Sequence, residues 1–413
     1  MSSPCAAEIQ SDDDVFAGTS VTPEILRVIE SLKEARSIAA FREACKPLGL
    51  GTDRRFIHLE LDIVNRCNIR CIMCYHSLPE TRVRVVFLDP SMFREAAESI
   101  LPHASHLSLS LGNEPFMSPY FEEILHLVAP FKVPNVNFFT NGLLLNNEKI
   151  AAIIETGVSQ VCISIDGATR SSYNAIRRGG EFRVLLSNVE KLISMRDQAL
   201  SRTPLVRFDI VMMRRNIREL PDIVHLASDL GCDQVSMRHL VSFSGLGMEQ
   251  ESLIHAKLLS DRMLRRTLEA ALEHGIEVQS HPGYFNEPTL TQKATLALRG
   301  LAKGRLKSPV DSRPEGKASA HANLPTPYCP FPFFHVSMGP GGHVLACPHS
   351  HGEAPYGEIS RQTPLDQIWL NGKFTRLRRR ILLRDPPVMC RRCPYLADKY
   401  PEIKAFFDTR DHR

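Results

Sequence analysis

The sequence predicts an α/β fold in which repeated βα units curl a parallel sheet into a full or partial barrel around a polar interior. Three observations carry that expectation. From Phe56 to about Pro282, β-like runs alternate with amphipathic helical ones, the order that builds parallel sheets. Along those runs the side chains split into two unlike faces. In the first run Ile57, Leu59, Leu61 and Ile63 share one face, and His58, Glu60 and Asp62 share the other. Leu107, Leu109 and Leu111 likewise oppose Ser108 and Ser110, and Val161, Ile163 and Ile165 oppose Cys162, Ser164 and Asp166. Phe208 and Ile210 oppose Arg207 and Asp209, and Val235 and Met237 oppose Ser236 and Arg238. Finally, the helical stretches are too regular to leave one sheet face bare, and a sheet covered on both faces should be apolar on both. The polar face therefore belongs inside a barrel, where it lines a ligand chamber.

In chain order, an acidic tail over residues 1–20 is expected to be disordered. Residues 21–52 read as a helical segment, with Thr22 as N-cap, Pro23 at the first helical position and glycines closing it. The barrel occupies residues 53–285. Its six strands are "FIHLELDIV", "HLSLSLG", "NVNFFTNG", "QVCISIDG", "LVRFDIVMM" and "DQVSMRHLV", separated by helices such as "PSMFREAAESIL" and "RELPDIVHLASDLG". Residues 286–327 lack Phe, Trp and Tyr and read as a linker holding one short helix around "LTQKATLALRGL". A cysteine-bearing module covers residues 328–413.

The 413 residues are 43% hydrophobic, enough to fill a substantial core, and the formal charge is only +4. That charge is too mild to indicate nucleic-acid binding. The N-terminus lacks the basic and apolar regions of a signal peptide, and no run of eighteen apolar residues could cross a bilayer. A cytoplasmic location is expected, where thiols stay reduced. The 11 cysteines are then metal ligands, catalysts or core residues rather than disulfides.

Three of them, Cys67, Cys71 and Cys74, crowd the stretch "CNIRCIMC" just after the first strand. Zinc sites show two close pairs of ligands, and this C-x3-C-x2-C triplet has no fourth partner nearby. Three thiolates on an iron–sulfur cluster leave one iron without a protein ligand, which points to catalysis. The triplet resembles the signature of the radical S-adenosylmethionine (SAM) superfamily, and other motifs support the resemblance. "GNEP" (Gly112, Asn113, Glu114, Pro115) stands where that family carries its motif for the SAM amino group. "TNG", including Thr140 and Asn141, ends the third strand, and "SIDG", with Ser164 and Asp166, ends the fourth where the family contacts the SAM ribose. Arg177 stands where relatives often have an arginine. Asn113 in place of a second glycine and Met73 in place of an aromatic are departures that remove no ligand.

The resemblance implies a partial (β/α)6 TIM-like barrel binding a [4Fe–4S] cluster and SAM. Electron transfer to SAM would then give methionine and a 5′-deoxyadenosyl radical that removes hydrogen from an unactivated C–H bond. It also implies an electron donor such as flavodoxin or ferredoxin, with no nucleic-acid or membrane partner expected.

Cys329, Cys347, Cys390 and Cys393 form a second set. With Gly342 five residues before Cys347 and the stretch "GEISRQTPLDQIWLNGKFTRLRRRILL", it resembles the SPASM/twitch extension of radical SAM enzymes. No cysteine follows Cys393, so the single-cluster twitch form fits best, and a second, auxiliary [4Fe–4S] cluster is implied. Spacing alone also permits a four-cysteine zinc site. Arg376, Arg378, Arg379 and Arg380 read as the solvated face of a helix. His349 and His351 read as ordinary loop histidines. Cys5 and Cys45 fall outside the barrel, and Cys232 at its far end.

Glu60, Asp62, Arg207, Asp209 and Arg238 would line the chamber, with Asp209 and Arg238 as candidate catalytic groups. Cys162 shares their face and is the candidate thiol hydrogen donor. Together with the resemblance to single-cluster twitch enzymes, among them the aminocyclitol dehydrogenase of butirosin biosynthesis, this lining favours two-electron oxidation of a sugar-like or aminocyclitol-like substrate. Radical epimerisation and peptide maturation are the alternatives. Residues 21 to 50 are too short for the winged-helix leader-binding domain common in maturases, and a non-catalytic electron carrier fits the SAM motifs poorly.

Overall fold

The computed structural model describes residues 22–51, 53–81, 83–110, 112–286, 329–347, 354–360, 362–391 and 393. The expected tail, Cys5, nearly all of the linker with its short helix, His349, His351 and the chain beyond residue 393 lie outside the described residues.

Six parallel strands follow one another across the sheet: β1 (Ile57–Leu61), β2 (Ala104–Ser108), β3 (Asn135–Thr140), β4 (Gln160–Ser164), β5 (Leu205–Met212) and β6 (Gln234–His239). A seventh, β7 (Glu277–Ser280), pairs parallel with β6. The sheet is an open, partial barrel, since each end of the strand order carries a further element rather than closing on the other. Its apolar faces pack under helices. Ile57, Leu59, Leu107, Val161, Ile163, Phe208 and Val235 are all fully buried. The opposite face is buried as well despite its polarity: Ser108, Gln160, Arg207, Asp209 and Gln234 each expose less than a tenth of their surface. A polar face kept from solvent needs internal partners, and the interior hydrogen bonds described below supply them.

The C-terminal module is not a separate lobe hung on a linker. Its strand β8 (His335–Met338) pairs in parallel with β1, placing His335 beside His58 and Ser337 beside Glu60. β9 (His343–Leu345) and β10 (Gly357–Glu358) then extend the sheet antiparallel, giving ten strands among the described residues. Gly342 turns the β8–β9 hairpin with φ 83°, a left-handed conformation that favours glycine. Sequence patterning marked the hairpin but not its partner, because strand pairing across residues 286–327 leaves no local trace.

Residues 21–52 form two helices rather than one: α1 (Pro23–Glu34) and α2 (Ile38–Cys45). Ala35 is extended, and Ser37 caps the second helix by accepting a hydrogen bond from Ala40 N. This pair packs on the C-terminal module. The Phe41 ring lies 4.5 Å from Trp369, and the Arg378 guanidinium sits over Phe41, Trp369 and Phe374 at 4.3, 4.6 and 5.1 Å. Arg378 also donates to the carbonyls of Pro332 and Trp369 at 2.8 and 2.7 Å.

This corrects the expectation of a solvated arginine face. Arg376 is exposed, but Arg378 is only 1% exposed and holds its charge against aromatic faces and carbonyl dipoles. Burial pulls its pKa down to about 9. Phe41→Ala should remove the central ring of this cage and cost about 3–5 kcal/mol, the usual loss for a buried phenylalanine. A urea melt followed by circular dichroism would show an earlier midpoint. An unchanged midpoint would mean that the helix pair does not stabilise the rest of the chain.

Candidate active site

The cysteine triplet follows β1 and is held by backbone pairing. Residues Arg70–Cys71 form a two-residue antiparallel ladder with Arg177–Arg178, and Ile72 N donates to Ile176 O at 2.9 Å. Cys74 N closes a turn on Cys71 O at 3.0 Å. Ile69, Ile72, Met73, Ile176, Met213 and Met248 make the surrounding wall apolar. Burial pushes the Cys67 thiol up to about 11 and Cys71 to about 12, and each of these thiols feels the Cys74 charge as well. Cys71 is buried and Cys67 and Cys74 are partly exposed, and thiols whose pKa is raised in this way become thiolates beside compensating positive charge, as metal ligands do. Protein donors already reach the sulfurs. Arg177 Nη1 lies 3.7 Å from Cys71 Sγ, and Asn141 Nδ2 lies 3.8 Å from Cys67 Sγ. The donor set fits an iron–sulfur cluster.

The turns that end β2, β3 and β4 surround this loop. Glu114 N donates to Arg66 O at 3.0 Å, and Tyr75 Oη donates to Gly112 O at 3.2 Å. Gly112 N in turn donates to Asp62 Oδ1 at 3.3 Å. A Cβ on Gly112 would lie 2.7 Å from Tyr75 Oη, so a larger residue here would press on the Tyr75 side chain that bonds this turn. The Glu114 carboxylate accepts from Thr140 Oγ1 at 2.7 Å, Asn141 N at 2.8 Å and Phe116 N at 3.3 Å. It is 2% exposed, and burial raises its pKa to about 7 against those donors. Asn141 then reaches Asn68 Oδ1 at 2.7 Å, joining the third-strand turn to the cysteine loop.

"SIDG" divides into two roles. Ser164 is partly exposed at the end of β4. Asp166 is fully buried; its Oδ1 accepts from Val211 N at 2.8 Å and its Oδ2 pairs with Arg177 Nη2 at 2.7 Å. Both Asp166 carboxylate oxygens therefore have protein partners, and the residue sits behind Arg177.

The polar strand face turns into the barrel interior. Arg207 pairs with Asp209 through Nε–Oδ2 at 2.7 Å and Nη2–Oδ1 at 3.1 Å, and also donates to Gln160 and Gln279. This network covers Cys162, which is fully buried and donates to Gln160 Oε1 at 3.5 Å. Burial drives the Cys162 thiol pKa far above its usual range. As candidate catalytic groups, Cys162 and Asp209 are thus locked in the floor. Arg238 is exposed, with its guanidinium 5.8 Å from the Phe139 ring centroid.

On the other wall, the Glu60 side chain keeps 35% exposure and lies 3.7 Å from His335 Nε2, which also meets Ser337 Oγ at 2.9 Å. Burial, and then the neighbouring Asp62 charge, raise the Glu60 pKa to about 7. His335 was missed at the sequence level because the module that supplies it pairs with β1 only in three dimensions. Asn68 and Tyr75 were also missed, although both lie within or beside the cysteine stretch.

In the second set, Cys329 is buried within electrostatic reach of Cys390, Cys347 and Cys393, and burial raises its pKa strongly. Cys393 N donates to Cys390 O at 3.2 Å, folding the last pair into one turn. Cys45, by contrast, is buried alone in the helix pair near Arg378, and Cys232 lies buried at the start of β6.

Residues 61–227 match the radical SAM superfamily, and residues 329–394 match an iron-sulfur cluster-binding domain, SPASM. The chain is 26% identical over 183 residues to a probable GTP 3',8-cyclase of Methanocaldococcus jannaschii, covering 43% of this chain and 57% of that protein. It is 24% identical over 327 residues to the mycofactocin maturase MftC of Mycobacterium ulcerans, covering 78% and 76%. The chain thus spans little more than half the length of the cyclase. The solved structure of Streptococcus suis SuiB bound to S-adenosylmethionine superposes with a TM-score of 0.58 at 12% identity, covering 87% of this chain and 75% of that one. That of anSMEcpe with bound AdoMet superposes at 0.52 and 16%, covering 82% and 84%. At those identities the two structures speak to the fold alone.

Two outcomes follow from this geometry. Anaerobic reconstitution should load about eight irons per chain, and alanine at Cys67, Cys71 and Cys74 together should leave about four and abolish SAM cleavage. Zinc in place of the remaining iron would refute the second cluster. Glu114→Ala removes three hydrogen bonds to a carboxylate, each worth about 1.5–3 kcal/mol, and lets the Thr140–Gly142 turn shift. SAM affinity measured by equilibrium dialysis should fall about ten- to hundredfold while visible cluster absorption persists. Unaltered affinity would separate this turn from the cofactor.

Proposed function

A chain that carries a radical SAM domain and a SPASM domain binds S-adenosylmethionine and iron–sulfur clusters, and from that premise we propose that it oxidises a hydroxyl-bearing carbon of a small polar substrate. The observation that carries this reading is the barrel interior, where Glu60 and Arg238 remain accessible on a strand face whose Arg207, Asp209, Gln160 and Gln234 are bonded to one another. When bound, the SAM cluster and SAM supply a 5′-deoxyadenosyl radical as hydrogen acceptor, and the auxiliary cluster supplies an acceptor for one further electron. Arg238 anchors the substrate beside Phe139. Glu60, set near neutrality by burial and Asp62, takes the hydroxyl proton, with His335 alongside. Asp209 holds Arg207 in place, and the pair shapes the floor. The wall of methionines and isoleucines around the triplet keeps water from the reacting carbon.

Epimerisation needs a hydrogen donor at the chamber surface. Cys162 lies beneath the Arg207–Asp209 pair, which disfavours that outcome. Peptide maturation draws support from the alignment with the mycofactocin maturase, which covers 78% of this chain. The two substrate classes separate when polyhydroxylated small molecules and short peptides are compared for their stimulation of 5′-deoxyadenosine formation. The present reading expects stimulation by the small molecules, and stimulation by peptides alone would overturn it.

With the stimulating compound in deuterium oxide, oxidation should yield a carbonyl product without deuterium at the reacting carbon. An inverted product with one deuterium, lost in Cys162→Ala, would identify an epimerase. As a base, Glu60 must be unprotonated, so turnover should rise as pH passes upward through about 7. Glu60→Gln should abolish that rise, and a profile identical to wild type would exclude Glu60 as the base.

A further inference from the structure

We propose that the buried Arg177–Asp166 ion pair sets the reduction potential of the cluster at Cys67, Cys71 and Cys74, with the two residues acting in opposite directions. The proposal needs only that cluster and is independent of the substrate. Arg177 is 7% exposed and spans two partners: Nη1 faces Cys71 Sγ at 3.7 Å, and Nη2 faces Asp166 Oδ2 at 2.7 Å. Its position is fixed twice over. The Cys71↔Arg177 register of the two-residue ladder ties its backbone to the ligand itself, and Ile72 N bonds Ile176 O beside it. Asp166 is equally immobile. Val211 N holds its carboxylate at 2.8 Å, and Asn216 Nδ2 holds its carbonyl at 3.0 Å. The guanidinium therefore cannot swing away from the sulfur without leaving a buried carboxylate without its counter-charge.

Hydrogen bonds to cluster sulfurs and nearby charge are principal determinants of cluster potential. Reduction adds one negative charge to the cluster. A cation at Cys71 Sγ favours the reduced form, and the Asp166 charge behind it offsets part of that effect. Through the apolar wall neither interaction is screened as it would be in water. Arg177→Gln should therefore lower the potential and Asp166→Asn should raise it. The double variant should lie between, and Arg177→Lys, which keeps the charge but not the planar fork, should lie closer to wild type than Arg177→Gln.

The test is a redox titration of the reconstituted enzyme without SAM, followed by electron paramagnetic resonance. The signal belonging to this cluster is the one that changes on adding SAM afterwards. Each single variant should change the reduction equilibrium at least about tenfold, roughly 59 mV for one electron, with opposite signs. The second cluster's signal should hold its potential and serves as the control for folding. Shifts of the same sign in both single variants, or none in either, would reduce the pair to a structural tie and overturn the proposal. Should Arg177→Gln fail to assemble a cluster, Asp166→Asn decides alone: it is nearly isosteric and keeps the acceptor for Val211 N, and an unchanged or lowered potential refutes the proposal.

Discussion

The parallel pairing of Ile57–Leu61 with His335–Met338 is the contact on which the remaining architecture rests. β1 runs directly into the cysteine loop, and β8 begins six residues after Cys329, so one ladder ties both cysteine sets to the same sheet. It also adds His335 and Ser337 beside Glu60 on the interior face. Without β8, Glu60 would face an open sheet edge rather than His335 and Ser337, and the edge would expose unpaired backbone donors. Asp62 N donating to Met338 O at 3.0 Å carries the pairing past the strand toward the cluster loop.

The interior that results is polar but largely self-satisfied, and this decides which residues can do chemistry. Arg207, Asp209, Gln160 and Gln234 bond one another across three strands, which rigidifies the floor. Asp166 and Glu114 are bound in the same way, one behind Arg177 and the other beneath the Thr140–Gly142 turn. Glu60 and Arg238 are ionisable groups of this face that keep exposure. Buried charges are held by several donors each, because an unpaired charge at such depth costs several kcal/mol.

Arg378 shows the same economy outside the site. Among the described residues its partners are rings and carbonyls. It joins the N-terminal helix pair to the short helix after Cys329 through Pro332, so residues far apart in sequence brace the second cysteine set.

Much of the site was legible in the sequence for a physical reason. A ligand triplet, a turn at a strand end and the alternation of strand faces are all local, set by neighbours a few residues apart. Cys67, Cys71 and Cys74, the "GNEP", "TNG" and "SIDG" turns, and the polar interior face belong to that class. What tertiary structure alone decided depends on contacts with no local signature. The pairing of β8 with β1 brought His335 to Glu60, and the fold set the Asp166 carboxylate against Arg177. The aromatic cage gave Arg378 a buried role that its basic neighbours concealed, since charge in a sequence does not say whether rings from elsewhere in the chain will enclose it.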